Sequence, residues 1–512
     1  MKPRFNLLEE AWIPCVNLEG QPVECSLSEV LLKAHQLREI ATSSPLVTVA
    51  VYRLLLALLH RIFGPENRDV WQKLWRKEQW DEGALQSYFE HWHQRFDLFD
   101  EVHPFYQAAD ERVEEKSVTS LVLDIASGNM ATLFDHHTDK DGMELSPDEA
   151  AQALIAIQAF GLAGLSGLEQ KFTDGPCARG INFILTGKNL FETLALNLMP
   201  YNEYSPTENL CWNPKDKPAW EMDDPFEPDR EIPLGYLDYL TWQNRRVLFQ
   251  PEEQNGEIIV RAMTMAPALQ LNRETVLNPM QHYRKDEKRG YLMLRFQEGK
   301  ALWRDSSSLF ALRSSVQNPP ASFHWFSELQ GEGILNKNFM QAIALGMANN
   351  QAKVEFYCGE QFILPRDYLA DEELIGILTT QLDRAQQVRN QLWGSARTLA
   401  SLLLSPEADL KDGRQPDPKD MDNLTTHWNI EQRYWGGLAL PFYALLNDLP
   451  ADRMRAVKIW ERIIRKQAGK ALSHALQMAG NSTAALKAGA KANRQLQAGL
   501  KKIWPEEQKE AK

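Results

Sequence analysis

The sequence predicts an α+β fold, with a large mixed body of small antiparallel sheets and helices at residues 1–365 and a C-terminal four-helix bundle at residues 366–512. Three patterns support this prediction. Apolar and polar residues alternate through residues 12–25, as in half-buried strands, and the turn dipeptide Asn255-Gly256 joins two further strand-like segments. From Leu374 to Leu403, apolar residues recur on average about every 3.6 positions, which is the period of an amphipathic helix.

The first third of the chain begins with strands and continues with helices. Residues 12–25 predict two strands joined by a turn at Glu19-Gly20, and the segment SLSEVLLKA that follows predicts a helix. Helical periodicity then covers residues 44–62 and 69–96. Between residues 99 and 139 the periodicity ends, which predicts a long loop region.

The middle of the chain mixes helices and strands. The expected elements are a helix from Pro147 to about Gly161, a glycine-bearing loop, a strand in INFILTG, hairpins around Asn255-Gly256 and Glu298-Gly299, a helix ending near Met347 and a strand in KVEFYCGEQFIL. Further helices are expected at about 424–447, 450–478 and 482–503. Four long helices joined by short loops predict the C-terminal bundle.

The composition indicates a folded chain with an uneven charge distribution. Of its 512 residues, 44% are hydrophobic and 24% are charged, with a net charge of -13, which excludes a disordered polymer. Residues 451–512 carry 14 Lys and Arg against 5 Asp and Glu, a balance of +9, which leaves -22 for residues 1–450. A polyanion would therefore be held at local basic surfaces and repelled elsewhere.

Neither a membrane anchor nor a disulfide framework is expected. The longest apolar stretches, 46–59 and 153–168, fall short of the roughly 20 residues that span a bilayer. Glu9 and Glu10 occupy the place of a signal peptide's apolar segment, so we expect a cytoplasmic protein. The five cysteines include no CxxC pair, which argues against disulfides and against a four-thiolate zinc site.

Common catalytic motifs are missing from the sequence. It contains no GxxxxGK[ST], HExxH, GxSxG or GxGxxG pattern, so no nucleotide or dinucleotide cofactor is expected. The strongest enzymatic candidate is Asp135-His136-His137, which is similar to the metal-binding triplet of DHH phosphoesterases, but no DxD pair precedes it. A metal-dependent phosphoesterase is therefore the alternative function, and a hydrophilic loop tip without metal is the simpler interpretation.

Three other segments carry residue types suited to nucleic acid. In GLAGLSGL, Gly161, Gly164 and Gly167 would let the backbone approach a groove or phosphate, although small residues at this spacing also pack helices. The amides of Asn349-Asn350-Gln351 can contact base edges or separate a base step, or form an ordinary turn. The run HYRKDEKRGYLMLRF is either a phosphate-contacting edge or a solvated hairpin.

Taken in order, these segments resemble the CasA family, the large subunit of the type I-E CRISPR Cascade surveillance complex. The resemblance runs through FNLLEEAWIPC, HPFYQ, SGNMATLFDHH, INFILTGKNLFETLALNLM, LTWQNRRVLFQPE, GMANNQAKVEF and EQRYWGGLALPFYALL. Members of that family are not enzymes and bind no nucleotide cofactor. The resemblance implies recognition of the protospacer-adjacent motif in duplex DNA from the minor groove, help in starting strand separation and R-loop formation, and recruitment of a separate helicase-nuclease.

The resemblance also implies roles for individual residues. The family's minor-groove glycine loop matches Gly164, Leu165, Ser166 and Gly167, its wedge matches Asn350 and Gln351, and its loop for the 5′ handle of the guide RNA matches Asn129 and Phe134. A phenylalanine can stack on an RNA base, and amides can help to unstack a base pair.

Other family features match this sequence less directly. The family's lysine finger falls on Leu269, which leaves Arg261 or Arg273 as substitutes. Some relatives carry a zinc-binding cysteine cluster, but residues 251–270 contain no cysteine, so no zinc is expected. The implied partners are the guide RNA, target double-stranded DNA and the other Cascade subunits: a small-subunit dimer, backbone subunits and a handle-capping subunit. The +9 C-terminal region suits contact with the small subunits and the displaced strand.

Overall fold

A computed structural model describes residues 3–123, 143–350, 353–408 and 413–505 of the chain. These residues pack into two units. The first unit comprises Met1–Leu302 and Ala311–Leu369, and the second comprises Trp303–Phe310 and Ala370–Lys512. The first unit is mixed and the second is helical, which confirms the predicted α+β class.

The N-terminal elements form as the sequence predicts. Strands β1 (Ile13–Asn17) and β2 (Pro22–Cys25) pair as an antiparallel hairpin, and helix α1 (Leu27–Leu32) follows directly. The Ser26 hydroxyl accepts the N–H of Glu29 at 3.2 Å, and the Glu29 carboxylate accepts the N–H of Ser26 at 3.1 Å. This capping box satisfies two backbone groups that the first turn leaves unpaired.

The strands of the first unit form antiparallel sheets of three strands each, in the described residues, with orders β2-β1-β3, β4-β7-β6, β10-β8-β9 and β12-β11-β5. The remaining strands are β3 (Leu37–Ile40), β4 (Lys116–Ser117), β5 (Asn182–Thr186), β6 (Arg245–Gln254), β7 (Glu257–Pro267), β8 (Tyr283–Asp286), β9 (Gly290–Met293), β10 (Gln317–Asn318), β11 (Phe339–Asn350) and β12 (Lys353–Pro365).

Helices of the first unit contribute many residues to its hydrophobic core. They are α2 (Pro45–Phe63), α3 (Arg68–Trp75), α4 (Glu82–Trp92), α5 (Pro147–Phe160), α6 (Leu190–Asn197), α7 (Tyr236–Leu240), α9 (Ala321–Gly331) and α10 (Arg366–Ala370). Helix α2 is long and apolar enough to cross a bilayer, yet 78% of its most apolar 18-residue window is buried inside the protein. The burial identifies α2 as a core helix.

The predicted helix ending near Met347 is wrong, because this segment forms strand β11. Alanine and methionine favour helix locally, but Met340, Ala342 and Ala344 are buried at alternate positions, as a strand requires. A Cβ on Gly346 would lie 2.7 Å from the carbonyl oxygen of Gly180, so the strand approaches that backbone closely. Tertiary packing therefore overrides local propensity here.

The predicted hairpin around Glu298-Gly299 is also displaced. The paired strands are β8 and β9, and the turn between them is fixed by the Asp286 carboxylate, which accepts the N–H groups of Lys288 and Arg289, each at 3.0 Å. The Glu298-Gly299 turn closes only an isolated bridge between Gln297 and Lys300. The run HYRKDEKRGYLMLRF thus contains a hairpin of its own.

The second unit consists of helices α8 (Ser306–Phe310), α11 (Glu372–Leu404), α12 (Pro418–His427), α13 (Ile430–Asp448), α14 (Arg453–Met478) and α15 (Thr483–Ile503). The apolar stripe of α11 is buried from Leu374 to Leu399, as predicted. The helix expected at 424–447 is instead two helices, because Asn429 adopts a left-handed conformation with φ 51° that ends α12.

Candidate nucleic-acid interface

The glycine segment, residues 161–180, connects α5 to β5. Gly164 and Phe172 exchange two backbone hydrogen bonds, with N–O distances of 3.1 and 3.0 Å, which close a narrow loop. We call residues 164–171 the tip of this segment, and residues 161–163 and 172–180 its base. The tip contains all four residues that resemble the family's glycine loop.

Arg245 holds the two sides of the base together. This residue is 2% exposed, and its guanidinium donates to the carbonyls of Leu162 and Thr173, each at 2.9 Å. The guanidinium carbon also lies 4.6 Å from the ring centroid of Phe172. Burial lowers the pKa of Arg245 to about 10, so it stays charged at neutral pH. Because Arg245 contacts both sides, it fixes the geometry of the loop entrance.

Asp174 forms ion pairs with arginine side chains in the base. Its carboxylate accepts the N–H of Ala163 at 2.7 Å, pairs with Arg179 and lies 3.6 Å from Arg273. Burial alone would raise the pKa of Asp174, but the hydrogen bonds from Arg179 and Ala163 outweigh it and the pKa is lowered. Burial and the neighbouring Arg179 and Arg273 lower the pKa of Arg295. The net formal charge around Asp174 is therefore positive.

The tip presents backbone to the outside. A Cβ built on Gly164 or Gly167 would meet no described atom within 4 Å. Gly167 has a φ of +78°, which favours glycine, and Leu165 is 83% exposed. The Ser166 hydroxyl accepts the N–H of Leu168 at 3.2 Å and so stabilises the turn. The tip is thus thin and open on the side where a groove could approach.

The two arginines proposed as substitutes for a basic finger already have partners. Arg261 on β7 pairs with Glu144 and with Glu252, the latter at 2.6 Å, so its charge is compensated. Arg273 donates to the carbonyl of Ala178 at 2.8 Å and belongs to the base. Glu144 and Ala178 are about 100 residues away from these arginines along the chain, so the sequence gives no sign of these contacts.

Lys171 is a tip residue that the sequence analysis did not single out. It is exposed, and it makes no ion pair within the part of the chain that the structure describes. Its place on the tip is set by the pairing of Gly164 with Phe172, which the sequence alone does not reveal. Lys171 is therefore a better candidate than Arg261 or Arg273 for a cation beside the glycines.

The first wedge candidate, Asn350, lies at the far end of the β11–β12 hairpin. Asn350 is the last residue of β11 and is in register with Lys353, whereas Gln351 lies outside the described residues. On its other edge β11 pairs with β5, the strand that directly follows the glycine segment. The glycine segment and the wedge hairpin are therefore joined through one sheet.

Other predicted residues fall in a range that the structure does not describe. These are Asn129 and Phe134 of the RNA-handle loop and Asp135, His136 and His137 of the phosphoesterase alternative. Among the described residues, no group of three or more His, Cys, Asp or Glu side chains could hold a metal ion. Three of the cysteines, Cys15, Cys25 and Cys177, are buried free thiols.

Comparison with known proteins places this architecture in a family. The model of the CRISPR-associated protein Cse1 family matches residues 6–471. The CRISPR-associated protein CasA/Cse1 of Thermus thermophilus is 32% identical in an alignment of length 506, and the match covers 95% of each chain.

Solved structures agree with this match. The crystal structure of Thermus thermophilus CasA superimposes with a TM-score of 0.80 at 28% identity, covering 98% of this chain and 100% of that one. Cse1 from Acidimicrobium ferrooxidans superimposes with a TM-score of 0.81 at 24% identity, covering 99% of both chains. A chain of a CRISPR RNA-guided surveillance complex superimposes with a TM-score of 0.76 at 19% identity, covering 96% of this chain and 99% of that one. These two structures share the fold. The protein therefore belongs to the CRISPR-associated Cse1 family.

Proposed function

We propose that this protein is the non-enzymatic large subunit of a type I-E CRISPR Cascade complex, and that it recognises the protospacer-adjacent motif in duplex DNA. Membership of the Cse1 family supports the first part, and a chain of the same fold occurs in a solved RNA-guided surveillance complex. The open tip of the glycine segment carries the second part, because Gly164 and Gly167 expose backbone with no described atom on their outer side.

Groove width explains why glycines suit this role. The minor groove of B-DNA is about 6 Å wide and offers mostly acceptors on its base edges. A backbone without side chains can enter it and approach those base edges closely. Lys171, on the tip, supplies charge for a flanking phosphate. The net charge of -22 over residues 1–450 disfavours binding elsewhere on the body.

The wedge acts after the motif is bound. In this proposal Asn350 and Gln351, at the end of the β11–β12 hairpin, insert beside the first base pair and unstack it. Unstacking a step costs a few kcal/mol, which the guide RNA recovers by pairing with the target strand. R-loop formation then proceeds away from the motif.

The remaining contacts follow from the family resemblance. Asn129 and Phe134 bind the 5′ handle of the guide RNA. The other partners are the handle-capping subunit, the backbone subunits, the small-subunit dimer and a helicase-nuclease that cuts the captured DNA. The basic C-terminal region, with its +9 balance, suits the displaced strand.

The first experiment tests membership of a ribonucleoprotein. The tagged protein is purified gently from its native host and examined for co-purifying subunits and a discrete short RNA. A stoichiometric particle with RNA supports the proposal. A lone, RNA-free protein contradicts it, and turnover of a nucleotide substrate on addition of Mn²⁺ would then favour the phosphoesterase alternative at Asp135, His136 and His137.

The second experiment tests the wedge in the assembled complex. Replacing Asn350 and Gln351 together by alanine should lower affinity for a fully paired target duplex, while a target already unpaired at the first positions binds normally. Gln86→Ala, at an exposed amide on α4, is the matched control. Equal binding of the paired duplex by the wedge variant and the control would remove the wedge assignment.

A further inference from the structure

A cleft of about 460 Å³ lies in the first unit and takes no part in the function proposed above. One wall is the segment 100–109, which contains HPFYQ, and the other is the segment 219–226. Its volume falls within the roughly 300–1,000 Å³ of typical ligand pockets. We call it the HPFYQ cleft.

Aromatic rings form the floor of the HPFYQ cleft. Phe105 and Tyr106 are stacked with centroids 4.4 Å apart and planes 5° apart. Trp220 lies 6.2 Å from Tyr106 with planes 25° apart. A guanidinium already lies on an aromatic face in this cleft, since the Arg246 guanidinium carbon is 4.1 Å from the ring centroid of Phe226. The rings of Phe105, Tyr106 and Trp220 are more than nine-tenths buried and pack against one another, so they give the cleft a rigid apolar floor.

The backbone of the HPFYQ segment is held in an unusual conformation. Tyr106 has a φ of +56°, a left-handed value that costs a bulky residue on the order of 1–3 kcal/mol. The next residue is held by two hydrogen bonds: the Gln107 side chain donates to the Leu98 carbonyl at 2.6 Å and accepts the N–H of Phe249 at 2.9 Å. Such strain is typical of segments that position side chains for binding.

The charges around the HPFYQ cleft are predominantly negative. Its lining contains the carboxylates of Asp100, Glu101, Asp223 and Asp224 against the guanidiniums of Arg95 and Arg246, a formal balance of -2. Asp223 is fully exposed and pairs with Arg95 at 3.1 Å. A phosphate backbone would be repelled by this rim, whereas a cation would be attracted.

A buried hydrogen-bond acceptor points to the same ligand class. Gln243 lines the cleft and is 3% exposed, and its side-chain oxygen Oε1 has no hydrogen-bond partner among the described residues. A buried acceptor without a partner costs stability, and a donor brought by a ligand would restore the bond. The acidic rim and the vacant acceptor both favour a cationic donor.

We propose that the HPFYQ cleft binds an arginine or lysine side chain presented by a partner protein. The side chain would pair with the rim carboxylates, as Arg95 does with Asp223 within the chain. This inference does not depend on the DNA-binding proposal, because the cleft shares none of its lining residues with the glycine segment or the wedge hairpin.

The test uses the full chain and two capped tripeptides, acetyl-Gly-Arg-Gly-amide and the same peptide with citrulline, which keeps the shape of arginine without its charge. Calorimetric titration should show the arginine peptide binding about tenfold more tightly than the citrulline peptide. The double variant Asp223→Asn and Asp224→Asn should weaken the arginine peptide about fivefold. The control Glu203→Gln and Glu208→Gln makes the same charge change at exposed positions outside the cleft.

Three results would overturn the inference. The first is equal affinity for the two peptides, or no binding of either. The second is an equal loss of affinity for the arginine peptide in the cleft variant and in the control, which would indicate a general charge effect. The third is binding of a short oligouridine in place of the arginine peptide, which would identify the cleft as a nucleic-acid site.

Discussion

Glycines in the base of the glycine segment face other atoms of the protein, whereas glycines in the tip face outward. A Cβ on Gly175 would lie 2.5 Å from the carbonyl oxygen of Ala159, and a Cβ on Gly180 would lie 2.5 Å from the Gln281 side chain. At Gly164 and Gly167 the same construction meets no described atom within 4 Å. One residue type thus serves internal packing in the base and external access at the tip.

The difference separates stability from binding within one short segment. In the base, a side chain has no room, so substitution should affect folding first. At the tip, a side chain has room in the free protein, so substitution should affect only a ligand that comes close. The following predictions test this separation, from the largest expected effect to the smallest.

Gly175→Ala should have the largest effect, because the new Cβ would overlap the Ala159 carbonyl and disturb the hydrogen bond from Gly175 N–H to the Gly161 carbonyl at 2.7 Å. We expect the free energy of unfolding to fall by about 2–3 kcal/mol. Thermal denaturation followed by circular dichroism measures it. Gly331→Ala, at an exposed glycine with open space around it, is the control. Equal melting temperatures for the Gly175→Ala variant and this control would show that the base is not tightly packed.

Asp174→Asn should lower stability by about 1–2 kcal/mol at pH 7, because Arg179 and Arg273 lose their shared counter-charge. The pKa of Asp174 is depressed below its ordinary value of 3.8, so its contribution is present above that pH and is lost as pH falls through the folded-state pKa.

Stability of the native protein should therefore fall more steeply below about pH 4 than that of the variant, and the two should converge in acid. Denaturant titrations over a pH series measure this. Asp383→Asn, exposed on α11, is the control. Parallel pH profiles for the native protein and the Asp174 variant would contradict the assigned role.

Gly164→Ala should leave stability within about 0.5 kcal/mol of the native value, since nothing described lies near the new Cβ. In the assembled complex, affinity for target duplex should fall about tenfold, equivalent to about 1.4 kcal/mol, because the methyl group thickens the tip inside the groove. Gly331→Ala again serves as control. Unchanged duplex affinity would place the DNA contact elsewhere.

Lys171→Ala should have the smallest effect, about a threefold loss of duplex affinity at physiological salt, because one phosphate contact is removed. The slope of the logarithm of affinity against the logarithm of salt concentration should decrease in magnitude by about one. Lys215→Ala, at another exposed lysine, should change neither quantity. An unchanged slope for the Lys171 variant would exclude a phosphate contact.

Local signals account for the elements that the sequence predicts well. Ser26 and Glu29 form the capping box that begins α1, and Asn255-Gly256 adopts the positive φ values, 55° and 86°, of a tight hairpin turn. The stripe of α11 lies on its buried face because its period matches the helix. Each of these signals is contained within a few residues.

Long-range contacts account for what the sequence does not predict. The alanines of β11 favour helix locally, and only pairing with β5 and β12 makes this segment a strand. Arg273 belongs to the base through carbonyls 95 and 98 positions earlier in the chain. Lys171 lies on the tip because Gly164 pairs with Phe172, a contact that no local pattern indicates.

The shared sheet has a mechanical consequence. Strand β11 pairs with β5 from Gln341 to Leu345, and its last five residues, 346–350, extend roughly 17 Å further toward the wedge position. Because β5 begins two residues after the glycine segment ends, the outer part of the hairpin is supported next to the base of that segment. A force on the outer hairpin would therefore act on the base of the glycine segment. In the proposed function, binding the duplex and separating its strands would then load the same part of the chain.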